Sequence, residues 1–349
     1  MKSTLLLLIP LIFLSCIQKE NNDVIQSNEL AFSINLSEVE HQKDKVFYYS
    51  EYFDGYHLVP LETNPDCLIG TIKQIKVNNE YIFVLDNQTK IIYTFLSDGK
   101  FKNKIGSIGR GPNEYLDPII TYDENNDEVI VYCKTLKKII IYNIGGTSIK
   151  EFHYDNGFEP KYIENYNGNI YISINPLRNK KNLHFLLYKI DKNGNEVHKY
   201  LKDRGIYTSM EESRLGNLYK MNNKLFFYES YLDTIYCIQN DILKPYISTY
   251  SNKSSDLDEI GEIHLIHDVM KRSDKMRQYN KVYGRNNFIE NKKLIHLSYK
   301  INFQSYSVLY KRDNNEFKMG FFLDDITNDM NVRFIGSNDD SYIGHIKEF

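Results

Sequence analysis

Tryptophan is missing from the 349 residues, cysteine occurs four times and proline eight. Without Trp the chain lacks the strongest stacking platform for a sugar ring. Leaving Cys16 aside, Cys67, Cys133 and Cys237 remain, an odd number that cannot all pair within one chain. Cys133 and Cys237 also fall inside apolar, strand-like runs, so neither a disulfide framework nor a Cys-based metal site is expected. The one pronounced apolar run, residues 5–14, has ten residues. A helix needs about 20 to cross a hydrocarbon core of about 30 Å. Positive charge is not in excess either: 43 Lys plus Arg face 46 Asp plus Glu, a formal charge of −3. No surplus is left to neutralise phosphates, which argues against nucleic acid as a partner. What the chain does have is 29 Tyr and 19 Phe within a composition that is 42% hydrophobic and 26% charged. That is the make-up of a globular protein rich in strand-forming residues.

The ten-residue apolar run follows Met1 and Lys2 and ends at Ser15-Cys16. Its length and flanks are those of a signal-peptide core. Ile12-Phe13-Leu14-Ser15-Cys16 resembles a bacterial lipobox, in which the cysteine is lipidated and becomes the mature N-terminus. Phe13 stands where Leu is commoner. The resemblance implies a signal peptide over residues 1–15, lipid on Cys16, and a protein held at the outer membrane of the cell envelope through its acyl chains, which contribute about 0.8 kcal/mol per buried CH₂. Residues 16–29 are polar and aperiodic, as a flexible tether would be. The folded domain is expected over residues 30–349.

An internal repeat sets the architecture. Residues 81–100, shifted by 47, fall on residues 128–147 with Ile82, Phe83, Val84, Ile92, Tyr93 and Phe95 matching Val129, Ile130, Val131, Ile139, Ile140 and Tyr142, and Gly99 on Gly146. Residues 225–238 fit the same strand-turn-strand template, and looser copies begin near 170, 294 and 342. Steps of roughly 40 to 50 residues belong to propeller blades of four strands. Six starts predict an all-β, six-bladed β-propeller, with an N-terminal strand from 31–36 or 56–61 completing the last repeat. Residues 254–279 break the pattern. Their apolar spacing, behind Ser255 or Asp256 as cap, predicts a short helical insertion, either a lid on the channel or a connector.

The run Ile105-Gly106-Ser107-Ile108-Gly109-Arg110-Gly111-Pro112-Asn113-Glu114-Tyr115, followed by Pro118, resembles the linker of NHL-type propeller repeats. It is more similar still to the Gly-x-Gly-Pro-Gly/Asn-Glu-Tyr segment of a family of bacterial six-bladed β-propeller lipoproteins, largely of unassigned activity. Val59-Pro60-Leu61-Glu62-Thr63, Val84-Leu85-Asp86 and Asp233-Thr234-Ile235-Tyr236 fit the same family. Cys133 stands where the first repeat has Asp86, so a ring of Asp side chains is incomplete.

The densest polar cluster is Arg110, Glu114, Tyr115 and Asp117. Arg with Glu could grip a polar ligand at the channel mouth. The same residues could instead build the linker, with glycines at positive φ, Tyr115 packed between blades and Arg110 tied to Glu114. His264 and His267 lack the Glu that follows the first His of a zincin, and the Asp123 to Glu128 run reads as a turn before it reads as a calcium loop. Tyr154, Tyr162, Tyr166, Tyr207 and Tyr231 fall outside the clearest strands and suit either recognition or packing. No Gly-x-Ser-x-Gly elbow or ordered Ser/His/Asp set is present, and no metal or cofactor is expected. The sequence thus points to a binding or scaffold module, in a nutrient-uptake assembly, with a protein complex or a glycan as partner. A glycan hydrolase or lyase using channel carboxylates is the rival.

Overall fold

The structure, a computed structural model, describes residues 32–39, 45–174, 185–202, 218–221, 223–229, 232–251, 259, 262–263, 266, 268–278, 283–301, 304–327, 332–337 and 340–346. The signal peptide, Cys16 and tether expected above lie outside these residues, as do Ser255, Asp256, His264, His267, Tyr207 and Tyr231.

The chain opens with two short strands, β1 (Phe32–Asn35) and β2 (Val46–Tyr48), separated by a single helical turn, α1 (Leu36–Val39). Blade 1 is the antiparallel meander β3 (Ile72–Val77), β4 (Tyr81–Asp86), β5 (Ile92–Leu96) and β6 (Phe101–Ile105). A parallel two-stranded clip, β7 (Ser107–Ile108) with β8 (Glu114–Tyr115), leads out of it. Blade 2 comprises β9 (Pro118–Asp123), β10 (Glu128–Cys133), β11 (Lys138–Asn143) and β12 (Ser148–His153). Blade 3 follows as β13 (Pro160–Tyr166), β14 (Asn169–Ile174), β15 (Phe185–Ile190) and β16 (Glu196–Lys202). Blade 4 is β17 (Leu218–Met221), β18 (Lys224–Phe227), β19 (Thr234–Gln239) and β20 (Ile242–Tyr250), and after it comes helix α2 (Val269–Gln278). Blade 5 is β21 (Tyr283–Glu290), β22 (Leu294–Ile301), β23 (Gln304–Lys311) and β24 (Glu316–Leu323). A hairpin, β25 (Val332–Ser337) with β26 (Tyr342–Ile346), ends the fold.

Among the described residues there are therefore five four-stranded blades, not the six that the repeat starts predicted. The sixth start, near Tyr342, lies in the two-stranded hairpin. The hairpin still takes a place in the ring, because β25 sits between β21 and β3 while β3, β9, β13 and β17 follow one another side by side. Tyr219 of β17 closes the circuit against Phe288 of β21, with ring centroids 5.9 Å apart.

The N-terminal strand expected to complete the sixth repeat goes elsewhere. β1 adds in parallel to the outer strand of blade 4, Phe32 opposite Ile247, and β2 adds in parallel to that of blade 5, Val46 opposite Phe321. Residues 56–61 form no strand. The space beside the hairpin is filled by irregular chain: Phe53 packs on Phe334 and Tyr342, with centroids 6.0 and 5.3 Å away, and Leu61, Cys67 and Ile69 cover the exposed face of blade 1.

Burial explains which strands announce themselves. β10 and β11 are buried almost throughout because both faces pack on neighbouring blades, whereas outermost β12 alternates half-buried with exposed residues. Apolar clusters fill the seams between adjacent blades, such as Phe83, Leu85 and Ile105 of blade 1 against Ile120, Val131 and Ile140 of blade 2. Each such side chain contributes roughly 1.5–3 kcal/mol of burial. The helix predicted within 254–279 is present as α2. Its cap is Asp268, whose Oδ1 accepts the Met270 and Lys271 N–H groups at 2.9 and 3.1 Å. Met270 in its first turn is exposed.

Candidate functional site

The Gly-rich linker does not bring its four polar residues together. Glu114 folds back over the linker, its Oε2 accepting the Gly111 N–H at 2.8 Å. A Cβ on Gly109 would stand 1.9 Å from that same oxygen, so the carboxylate and the missing side chain share one space. Tyr115 is buried between blades 1 and 2, donating its hydroxyl to the Ile105 carbonyl at 2.7 Å and meeting Tyr142 edge-on; burial pushes its phenol well above the ordinary range. Asn113 takes positive φ, which Asn tolerates. Arg110 is exposed and forms no ion pair with Glu114. Asp117 stands apart, receiving Lys73 Nζ at 2.5 Å. Burial raises its carboxyl pKa, but the Lys73 bond and charge outweigh that and hold it below the ordinary range.

Lys73 belongs to a different place, a cavity of about 200 Å³ on the ring axis lined by the innermost strands. β3 supplies Lys73, Gln74 and Lys76; Glu164 comes from β13; Tyr219 and Lys220 come from β17. Gln74 clamps the backbone of Ile120 in blade 2, donating to its carbonyl at 2.8 Å and accepting its N–H at 3.0 Å. Lys76 pairs with Glu164, and Lys220 with Glu124 at 3.1 Å. The Tyr219 hydroxyl is buried and has no hydrogen-bond partner among the described residues; its ring lies in the seam against Phe288. Tyr162, singled out from sequence, lines this cavity from β13, while Tyr154 and Tyr166 are core residues.

A second polar group lies where blades 4 and 5 meet. Glu290, 2% exposed, accepts from the Tyr246 hydroxyl at 2.7 Å and from Arg312 at 2.5 Å. Burial nevertheless raises its pKa, because desolvation outweighs these partners. The sequence reading passed over it, and over the cavity lysines. The available signal was polar residues at alternate positions in otherwise apolar strands, as in Gln74 and Lys76 of β3.

The Asp123 run forms a turn as expected: Asp123 accepts the Asn125 N–H at 3.0 Å and the Asn126 side chain at 2.9 Å, and Asp127 takes positive φ. Cys67, Cys133 and Cys237 are free and buried. Cys133 Sγ accepts the Leu116 N–H at 3.4 Å, much as Asp86 in blade 1 accepts that of Thr71 at 2.9 Å.

A family model described as "Domain of unknown function (DUF4934)" matches residues 31–349. No curated protein matches the chain. Among solved structures it resembles a protein from Bacteroides fragilis described as a "putative exported protein", at 18% identity and a TM-score of 0.66 over 82% of each chain. A member of the DUF4221 family from Bacteroides vulgatus aligns at 11% identity and a TM-score of 0.47, over 75% of this chain and 83% of that one. Virginiamycin B lyase from Staphylococcus aureus aligns at 14% identity and a TM-score of 0.42, over 78% and 76%. At these identities the first likeness speaks for the β-propeller fold, and the other two carry no further argument.

Proposed function

The chain belongs to the DUF4934 family, and from that premise we propose that it is an exported β-propeller of the bacterial cell envelope, lipid-anchored through Cys16 at the outer membrane, that works as a binding module. The observation that carries the reading is the axial cavity of about 200 Å³, with lysine, glutamate and tyrosine side chains brought to one place from separate blades. Export is supported by the lipobox-like residues 12–16 and by the likeness to a Bacteroides protein described in those terms. Through its lipid the module sits at a membrane surface, where it serves a nutrient-uptake assembly.

Binding is favoured over glycan hydrolysis by the state of the cavity carboxylates. A glycosidase needs one carboxyl group kept as an acid and a second free as base or nucleophile. Glu124 and Glu164 are each held by a lysine. The test has two arms. Labelled palmitate is expected in the full chain and absent from Cys16→Ala. Incubation of the detergent-solubilised protein with envelope glycans is expected to leave them intact, whereas turnover of any of them overturns the binding reading.

A further inference from the structure

Lys76, Glu124, Glu164 and Lys220 all line the cavity, one from each of the first four blades. Round the ring their charges run plus, minus, minus, plus. They do not pair with the neighbouring blade: Lys76 of blade 1 reaches Glu164 of blade 3, and Lys220 of blade 4 reaches Glu124 of blade 2. Both ion pairs are chords of the ring, so a ligand on the axis meets them directly. The set is electrically balanced. A ligand with net charge entering between the partners satisfies one member and leaves the other without its counterion, and an uncharged ligand leaves both so. A molecule with one carboxylate and one ammonium gives every displaced partner a new counterion.

Two further observations narrow the size and character of the ligand. The cavity, about 200 Å³, is smaller than the roughly 300–1,000 Å³ that drug-sized ligands occupy. Tyr219 points to the face of β17 opposite Lys220, into the seam with blade 5, and supplies no group beside that lysine. Phe83 and Ile163 supply apolar wall for a side chain.

We propose that the cavity takes a small zwitterion, an amino acid or a dipeptide, with its carboxylate toward Lys76 and Lys220 and its ammonium toward Glu124 and Glu164. This rests on the binding-module reading above. Isothermal titration of the full chain in detergent with each of the twenty amino acids and a dipeptide set, against their N-acetyl and amide derivatives, succinate and glucose, tests it. One or more free zwitterions are expected to bind, with either blocked form at least 10-fold weaker. Glu124→Gln, at a side chain 52% exposed and so safe for folding, is expected to weaken the zwitterion at least 10-fold. Equal affinity for blocked forms, or binding of succinate or glucose alone, overturns the zwitterion while leaving the cavity as a ligand site. Binding of no probe overturns this proposal, and if envelope glycans also fail to bind, the binding-module reading falls with it.

Discussion

Lys73 and Lys161 hold the same place in different blades: each is the extra residue of a β-bulge in an innermost strand, and each reaches a carboxylate of the following blade. Lys73 meets Asp117 at 2.5 Å and Lys161 meets Glu229 at 3.6 Å. A bulge puts one more side chain on the partner-facing side than strict alternation allows, so these strands hold the next blade by charge as well as by apolar packing. The two pairs differ in burial, Asp117 being 42% exposed and Glu229 3%. Lys73→Met is therefore expected to cost under about 1 kcal/mol, as exposed pairs do. Lys161→Met should cost more, about 2–3 kcal/mol, because it takes a cation from a buried carboxylate. Urea unfolding of the two variants checks the ranking, and equal costs would contradict it.

The Gly-rich linker makes a sharper prediction. Gly109→Ala sets a methyl against Glu114 Oε2 and is expected to cost about 1–3 kcal/mol, the usual range for overpacking. Shortening the opposing side chain in Glu114→Ala should recover most of that loss, so the double variant is more stable than the sum of the singles predicts. Strict additivity in a double-mutant cycle would show that the two positions do not share the space.

Gly320 tests the N-terminal strap. A Cβ there lies 2.4 Å from the Lys45 carbonyl, which accepts the Phe321 N–H at 3.0 Å. Gly320→Ala should push β2 off blade 5. The expected signature is faster cleavage near residue 45 by a Lys-directed protease, with the melting point lowered by a few degrees.

How much of this was legible beforehand depends on where each residue sits in a blade. β4, β5, β10, β11 and β19 stand in the middle of sheets packed on both faces, and their apolar runs carried the repeat. Outer strands such as β12 are half solvated, and their pattern merges with that of loops. The hairpin β25–β26 mimics the start of a blade, and nothing local tells a two-stranded unit from a four-stranded one. Arg110, Glu114, Tyr115 and Asp117 are close in sequence and diverge in space. Lys76 and Glu164 are 88 positions apart and meet. Periodicity reports burial of one strand at a time, and a site on a ring axis is assembled from strands a whole blade apart.

Acid sensitivity should be traceable to Asp86. Burial raises its pKa, but bonds from Thr89, Thr71 and Gln88 lower it further, and the net value lies below the ordinary 3.8. A carboxylate depressed in the folded state contributes stability that is complete above its unfolded pKa and is lost as pH falls from there through the folded value. Melting temperatures are expected to drop as pH falls below about 4, and Asp86→Asn, less stable at neutral pH, should show a shallower drop. Parallel curves would assign the acid loss elsewhere, Asp123 being the next group to test, since Lys192 holds it low against its own burial.

The three described thiols should be silent in the native protein. Burial pushes Cys237 up to about 11, so almost no thiolate is present at pH 8. A thiol reagent is expected to label Cys67, Cys133 and Cys237 only after denaturant is added, and rapid native labelling of any of them would place it at a surface.

The strap also fixes an order of events. Ser37 bonds Ser251 at 3.4 Å across 214 positions, and Ser50 bonds Asp325 across 275. A chain that emerges from its N-terminus carries these fastenings long before blades 4 and 5 exist to receive them. β1 and β2 must therefore wait unpaired while the ring is built, and their docking is a closing step set by long-range encounter, slower than the local meanders that precede it. A protein assembled this way is clasped last by its first residues.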